Sequence, residues 1–188
     1  AMKPPVAAGD AAAVIGEGLV GQFASQVLRH RGARVILSGL QPLRLELAGR
    51  HSADEVFDAS HGNFTDFVRG QYAKGIRIAV ETASSSRTVR QAIELLAYGG
   101  HLVLNGFYPP PESLLDWHWL RTKELTVHCP NSRTRERLEN TLKLIEQGVL
   151  KVEELITHVF PIGKAPQAYE MLLGSDAGFL GIAIDWRA

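Results

Sequence analysis

A group of glycines near the start of the chain has a spacing that suits phosphate binding. The pattern G-x-G-x-x-G spans Gly16, Glu17, Gly18, Leu19, Val20 and Gly21. In such a turn the first glycine allows a tight bend, the second lets a pyrophosphate approach the backbone, and the third lets helix and strand pack closely. The helix that begins there offers free N–H groups and a partial positive charge. We therefore expect the three glycines, with Leu19 and Val20, to bind a dinucleotide; a plain strand-to-helix turn is the alternative.

The end of the second apolar run indicates which dinucleotide would fit. A protein that binds NAD usually has an acid there, which accepts a hydrogen bond from the ribose 2′-OH. This chain has Ser38 and Gly39 at that place, and no acid. Because a carboxylate would repel a 2′-phosphate, its absence favours NADP over NAD, with Ser38 and Arg44 as candidate phosphate ligands. Alternatively, Arg44 is a solvated helix residue and the ribose is read by backbone or water.

Two further apolar runs end in residues that we expect to face the cofactor. Ligands bind outside the carboxyl ends of the strands in open parallel sheets. The candidates at the ends of the runs 76–81 and 101–106 are Thr82, Ala83, Asn105, Gly106 and Phe107. The alternative for Asn105-Gly106 is a simple turn, since this dipeptide is common in turns.

The elements that must position these residues alternate between strand and helix. Strand-like runs occupy 11–16, 33–38, 54–59, 76–81, 101–106 and 124–129. Amphipathic helices separate them, and Val20 lies on the apolar face of the first helix. Strands that alternate with helices over short loops indicate right-handed βαβ units. We therefore predict an α/β fold, a doubly wound parallel six-stranded Rossmann sheet over 1–150, and a C-terminal extension over 151–188.

Composition excludes several classes of protein. The chain of 188 residues is 45% hydrophobic with a formal net charge of 0, which gives no basic footprint for nucleic acid. No apolar run is long enough for a membrane span. Cys129 is the single cysteine, so neither an internal disulfide nor a cysteine-rich zinc site is expected, and a cytoplasmic location is the default. The seven histidines show no H-x-x-x-H pair, and we expect no metal site in this chain.

The motifs together resemble the medium-chain dehydrogenase/reductase family, specifically its nucleotide-binding half. The segments that carry the resemblance are GDAAAVIGEGLVGQFASQVLRHRGARVI, VETASSSRTVRQAIELLAYGGHLVLNGF, ELITHVFPIGKAPQAYEMLL and GFLGIAIDW. The resemblance implies hydride transfer between a nicotinamide cofactor and an alcohol or carbonyl substrate. It also implies that a separate N-terminal domain supplies the zinc ligands or proton relay and receives the segment 151–188. Family members often pair through the sixth strand, which implies a homodimer through 124–129.

The resemblance leaves several functions open. The whole protein could be a zinc-dependent alcohol, polyol or sugar dehydrogenase, or a zinc-free enone or quinone reductase. The segments LNGFYPPP and DWR are similar to the bacteriochlorophyllide hydroxyethyl dehydrogenases. A non-catalytic nucleotide-sensing domain and a methyltransferase that binds S-adenosylmethionine are further alternatives, whereas a short-chain dehydrogenase needs a Tyr-x-x-x-Lys pair that the chain lacks. We expect this chain to bind cofactor without turning over a substrate.

Overall fold

A parallel sheet of six strands forms the centre of the protein. The computed structural model describes residues 2–108, 117–131, 134–174 and 178–187. The strand order β3-β2-β1-β4-β5-β6 is that of the Rossmann dinucleotide-binding fold and confirms the predicted fold. The strands of this sheet are β1 (Ala11–Ile15), β2 (Arg34–Gly39), β3 (Glu55–Asp58), β4 (Ile76–Glu81), β5 (Leu96–Leu104) and β6 (Thr126–His128).

Helices cover both faces of this sheet. They are α1 (Leu19–His30), α2 (Pro42–His51), α3 (Phe64–Gln71), α4 (Ser86–Leu95) and the short α5 (Trp117–Thr122), whereas α6 (Arg135–Glu146) has no buried residue. Alternate residues of β1 belong to two apolar clusters, one on the face of α3 and α4, the other on the face of α1 and α2. Because β1 is buried on both faces, its sequence is continuously apolar and does not alternate with polar residues.

The structure corrects two details of the expected elements. The strand expected over 101–106 begins earlier, at Leu96, and ends at Leu104, because the register against β4 shifts after the pair Ile76 and Leu96 and a bulge separates the two paired stretches. Val20 was expected on the apolar face of α1 but is 49% exposed, since it lies in the first turn of the helix, beyond the edge of the core.

The C-terminal part adds a strand, a helix and a strand, as the sequence predicts. β7 (Ile156–Pro161) and β8 (Gly181–Asp185) form a separate two-stranded parallel sheet, with α7 (Ala165–Leu173) between them in the chain. Two long-range hydrogen bonds fasten this part to the main sheet's helices: Lys151 N donates to Gln26 Oε1, and Arg44 Nε donates to the main-chain oxygen of Phe179. The division at residue 150 stays a prediction. Within the described ranges, no helix is long and apolar enough to cross a membrane.

Candidate functional site

Close packing explains two of the three glycines in the turn after β1. Gly16 has φ +114°, and a Cβ there would collide with Thr82 Oγ1. A Cβ on Gly21 would collide with the main-chain oxygen of Gly16 and would approach Thr82 Oγ1 to 3.1 Å. Thr82 Oγ1 itself donates to the main-chain oxygen of Ile15 at 3.0 Å, so the hydroxyl is fixed next to the turn. Packing of helix against strands therefore requires glycine at both positions.

Packing does not explain the middle glycine. Gly18 is the N-cap of α1, and no atom of the described residues lies within 4 Å of a Cβ built there. Among the same residues no side chain caps the helix, and its first turn contains no acid. The first N–H groups of an α-helix have no partner within the helix and carry its partial positive charge. The open space at Gly18, flanked by half-buried Leu19 and exposed Val20, therefore suits an anionic group.

A cleft of about 670 Å³ opens beside this turn at the carboxyl ends of β1 and β2. Its volume lies within the ordinary range of small-ligand sites. The cleft brings together several residues that the sequence singles out: Gly16, Ser38, Gly39 and Ala83. The first turn of α3 and the cleft-facing side of α4 form its other walls, which the sequence did not predict.

An acidic side chain lies at the end of β2, although none follows that strand in the sequence. Glu17 lies over Gly39, and a Cβ on Gly39 would come within 2.6 Å of Glu17 Oε2. The main-chain N–H of Gln41 donates to Glu17 Oε1 at 3.3 Å. The sequence contained one signal for this placement: β1 pairs with β2 through Ile15 and Ser38, so the turn after β1 passes beside the end of β2.

The structure places Arg44 away from the cleft lining. Arg44 Nε donates to the main-chain oxygen of Phe179 at 2.8 Å, and the guanidinium lies 5.3 Å from the centroid of the Phe179 ring. Ser38, the other candidate ligand for a 2′-phosphate, is 3% exposed and lines the cleft. The two candidates therefore differ: Ser38 lines the cleft, whereas the Arg44 guanidinium is engaged with the C-terminal part.

A buried carboxylate organises the ends of β4 and β5. Glu81 is fully buried and accepts hydrogen bonds from Ala83 N, Thr88 Oγ1 and the Tyr108 hydroxyl. Burial, followed by the Glu81 hydrogen bond, raises the pKa of Tyr108 far above its ordinary value, so this hydroxyl stays a donor at neutral pH. The motifs in the sequence did not predict this network, although a charged residue that ends an otherwise apolar strand was a signal for it.

The loops after β4 and β5 are joined to each other. Ser84 has a positive φ of 63°, which is uncommon for a residue other than glycine, and its Oγ accepts a hydrogen bond from Phe107 N at 2.9 Å. A Cβ on Gly106 would approach Ser84 Oγ to 2.7 Å. Asn105 N donates to the main-chain oxygen of Glu81. The predicted residues Thr82 and Ala83 therefore lie in the loop adjoining the one that contains Asn105, Gly106 and Phe107, and Phe107 is 82% exposed.

The described residues contain no group of three or more His, Cys, Asp or Glu side chains that could hold a metal ion. His128 and Cys129 are adjacent in sequence, and His128 faces His101 across the sheet, with 3.2 Å between His101 Nδ1 and His128 Nε2. The cleft is thus lined by Glu17 at the end of β2, and residues after β1 and β4 also line it, whereas Gly18 and the described residues of the loop after β5 lie outside its lining.

Comparisons with known proteins assign the chain to a family. An L-threonine 3-dehydrogenase from Saccharopolyspora erythraea is 28% identical over 180 residues, which cover 95% of this chain and 52% of that protein. The alcohol dehydrogenase TADH from Thermus sp. ATN1 superposes with a TM-score of 0.85 at 26% identity, over 96% of this chain and 54% of that one. A zinc-binding dehydrogenase from Sinorhizobium meliloti 1021, described as putative and bound to NADP, gives a TM-score of 0.79 at 26% identity, over 96% of this chain and 54% of that one.

The chain thus spans about half the length of the curated relatives that it matches. A family model described as zinc-binding dehydrogenase matches residues 20–147, which is most of the six-stranded sheet and its helices. The chain belongs to the zinc-binding dehydrogenase family, as its resemblance to the medium-chain dehydrogenases predicted.

Proposed function

We propose that the chain binds a nicotinamide dinucleotide along the carboxyl edge of its sheet. The pyrophosphate would lie at the start of α1, the adenosine ribose at the end of β2, and the nicotinamide beside the loops after β4 and β5. The observation that carries the proposal is the uncapped start of α1, where Gly18 leaves open space next to the cleft. A side chain at Gly18 would fill the place that a phosphate needs.

Family membership supports an oxidoreductase role for the whole protein. The bound cofactor would supply hydride transfer. The described residues would bind it, orient its ring and exclude water, and the Glu81–Tyr108 hydrogen bond would hold the loop that contains Phe107 in place. Oxidation of an alcohol is the leading reaction, and reduction of an enone or quinone without zinc is the second. The resemblance to bacteriochlorophyllide hydroxyethyl dehydrogenases rests partly on 109–111, which lie outside the described residues.

The nucleotide is either NADP or NAD. The Sinorhizobium neighbour bound to NADP supports NADP, as does Ser38 in the cleft. The lack of an acid after β2 in the sequence favours NADP. Against this, the Glu17 side chain reaches the end of β2 from the glycine turn. We also propose a cytoplasmic location, which suits the exposed thiol of Cys129. Recovery of the protein in a cytosolic fraction would test it.

The glycine turn can be tested without disturbing the fold. Gly18→Asp should leave the thermal midpoint unchanged or raise it, because aspartate is a good N-cap and no atom lies within 4 Å of the new Cβ. The same carboxylate would occupy the phosphate position and repel it. We expect binding of NADH and NADPH, measured by fluorescence titration, to weaken at least about tenfold.

A matched control is Gly163→Asp, which adds the same side chain at an exposed glycine that also has open space around it. This variant should bind both nucleotides as the original chain does. If the original chain binds neither nucleotide, or if Gly18→Asp binds as well as the control, the proposed function is wrong.

A further inference from the structure

The Glu17 side chain, in the turn after β1, explains why residue 39 is a glycine. Gly39 does not have a positive φ, so its backbone would accept any residue. A Cβ there would nevertheless come within 2.6 Å of both Cβ and Oε2 of Glu17. The strand end therefore lacks a side chain because the Glu17 side chain already covers it.

Hydrogen bonds hold both the side chain and the main chain of Glu17. Its Oε1 accepts from Gln41 N, and the Glu17 main-chain oxygen accepts from Gln22 Nε2 at 3.2 Å. Gln22 is fully buried and also donates to the main-chain oxygen of Arg44 at 3.0 Å, which ties the turn to α2. No described residue forms a hydrogen bond with Oε2, the oxygen that lies over Gly39 and beside the cleft.

We propose that Glu17 acts as the acid at the end of β2, and that it makes the chain select NAD over NADP. The inference rests on the proposed function. A carboxylate at this place accepts a hydrogen bond from the ribose 2′-OH, whereas a 2′-phosphate would meet a like charge at short range. The acid reaches its place from the glycine turn instead of from β2 itself. A sequence without an acid after β2 therefore need not favour NADP.

Cations near the cleft would favour NADP if they could reach the 2′-phosphate. Arg87 and Arg90 on α4 line the far wall of the cleft and are exposed. They would attract a 2′-phosphate only if the ribose lay towards α4, away from Ser38 and Gly39. Arg44, the first cation in the chain after the end of β2, is engaged with Phe179. The cations that line the cleft are thus on α4 and not on β2 or α2.

Titration of the full 188-residue chain with NADH and with NADPH tests the role of Glu17. The original chain should bind NADH at least about tenfold more tightly than NADPH. Glu17→Gln should reduce that ratio about tenfold or more, chiefly by tighter NADPH binding, because the repulsion is removed. Glu46→Gln removes the same charge from an exposed site on α2, where it pairs with Arg50, and should leave the ratio unchanged.

A double variant moves the acid back onto the strand. Glu17→Gly with Gly39→Asp removes the Cβ and carboxylate that obstruct position 39, and should restore the NADH preference that Glu17→Gln loses. Circular dichroism would show that each variant is folded. If the original chain binds NADPH more tightly, or if Glu17→Gln leaves the ratio unchanged, the role of Glu17 is refuted while the proposed function stands. If neither nucleotide binds, both are refuted.

Discussion

A pair of histidines couples the last two strands of the main sheet at the level of single side chains. His101 on β5 and His128 on β6 lie with their rings stacked, 5.4 Å between centroids, and His101 is 7% exposed. His101 Nε2 is buried without a hydrogen-bond partner among the described residues. Burial is the largest cause that lowers the pKa of each imidazole, and in His101 the charges of Arg77 and His128 add to it. Both side chains are therefore held in their neutral forms.

The two lowered pKa values predict a loss of stability in mild acid. The unfolded chain takes up protons at the ordinary imidazole pKa of 6.5, while the folded chain resists them to lower pH. The stabilising contribution is therefore complete above that value and falls as the pH drops below it. We expect urea denaturation to give a free energy of unfolding that decreases from about pH 7.5 to about pH 5.5.

The variant His101→Gln with His128→Gln should flatten this decrease, whereas His30→Gln, at an exposed position on α1, should not change it. An equal slope in the double variant and the original chain would contradict the assignment to this pair.

Single residues of the site differ in whether the sequence could predict their place. Spacing alone located Gly16, Ser38 and Gly39, because position along a strand determines which residues reach the carboxyl edge. It could not locate Glu17, because the direction of a side chain within a turn depends on packing against β2. The sequence therefore has no acid after β2, yet in the fold the Glu17 side chain lies at the end of that strand.

At the scale of elements, strand order was predictable and the polar interior of α1 was not. Continuous apolar runs identified the strands, and their alternation with helices, together with the glycine turn after the first strand, indicated the Rossmann sheet that has this order. α1, by contrast, buries Gln22, Ser25 and Gln26. Ser52 Oγ donates to Gln22 Oε1, and Gln26 Nε2 donates to Ser52 Oγ, so the polar groups satisfy one another across α1 and α2. Periodicity of apolar residues carries no information about such a network.

α6 shows the reverse case, an apolar stripe with no buried residue. Leu138, Leu142 and Ile145 are 61%, 50% and 40% exposed. Because Leu142 loses little contact area on truncation, Leu142→Ala should change the free energy of unfolding of this chain by less than about 0.5 kcal/mol. Leu28→Ala on α1, at a fully buried position, should cost about 2–5 kcal/mol. Equal losses measured by urea denaturation would mean that α6 is packed against the rest of the protein.

At the scale of the whole molecule, the chain spans about half the length of the curated relatives that it matches and carries a six-stranded parallel sheet. A homodimer through 124–129 can be tested with this chain, since β6 pairs on one side with β5 and is the last strand of the sheet.

The structure sharpens what this dimer would look like. A two-fold axis beside β6 would run the two copies antiparallel and join the sheets edge to edge. The apolar residues of this segment, Leu125 and Val127, both pack against the main core, so they offer little apolar area to a partner. Three residues of strand then leave backbone hydrogen bonds as the main attraction. We therefore expect a weak dimer of this chain, visible in sedimentation velocity as a boundary that shifts with concentration. A boundary fixed at the monomer or at the dimer across the series would contradict this expectation.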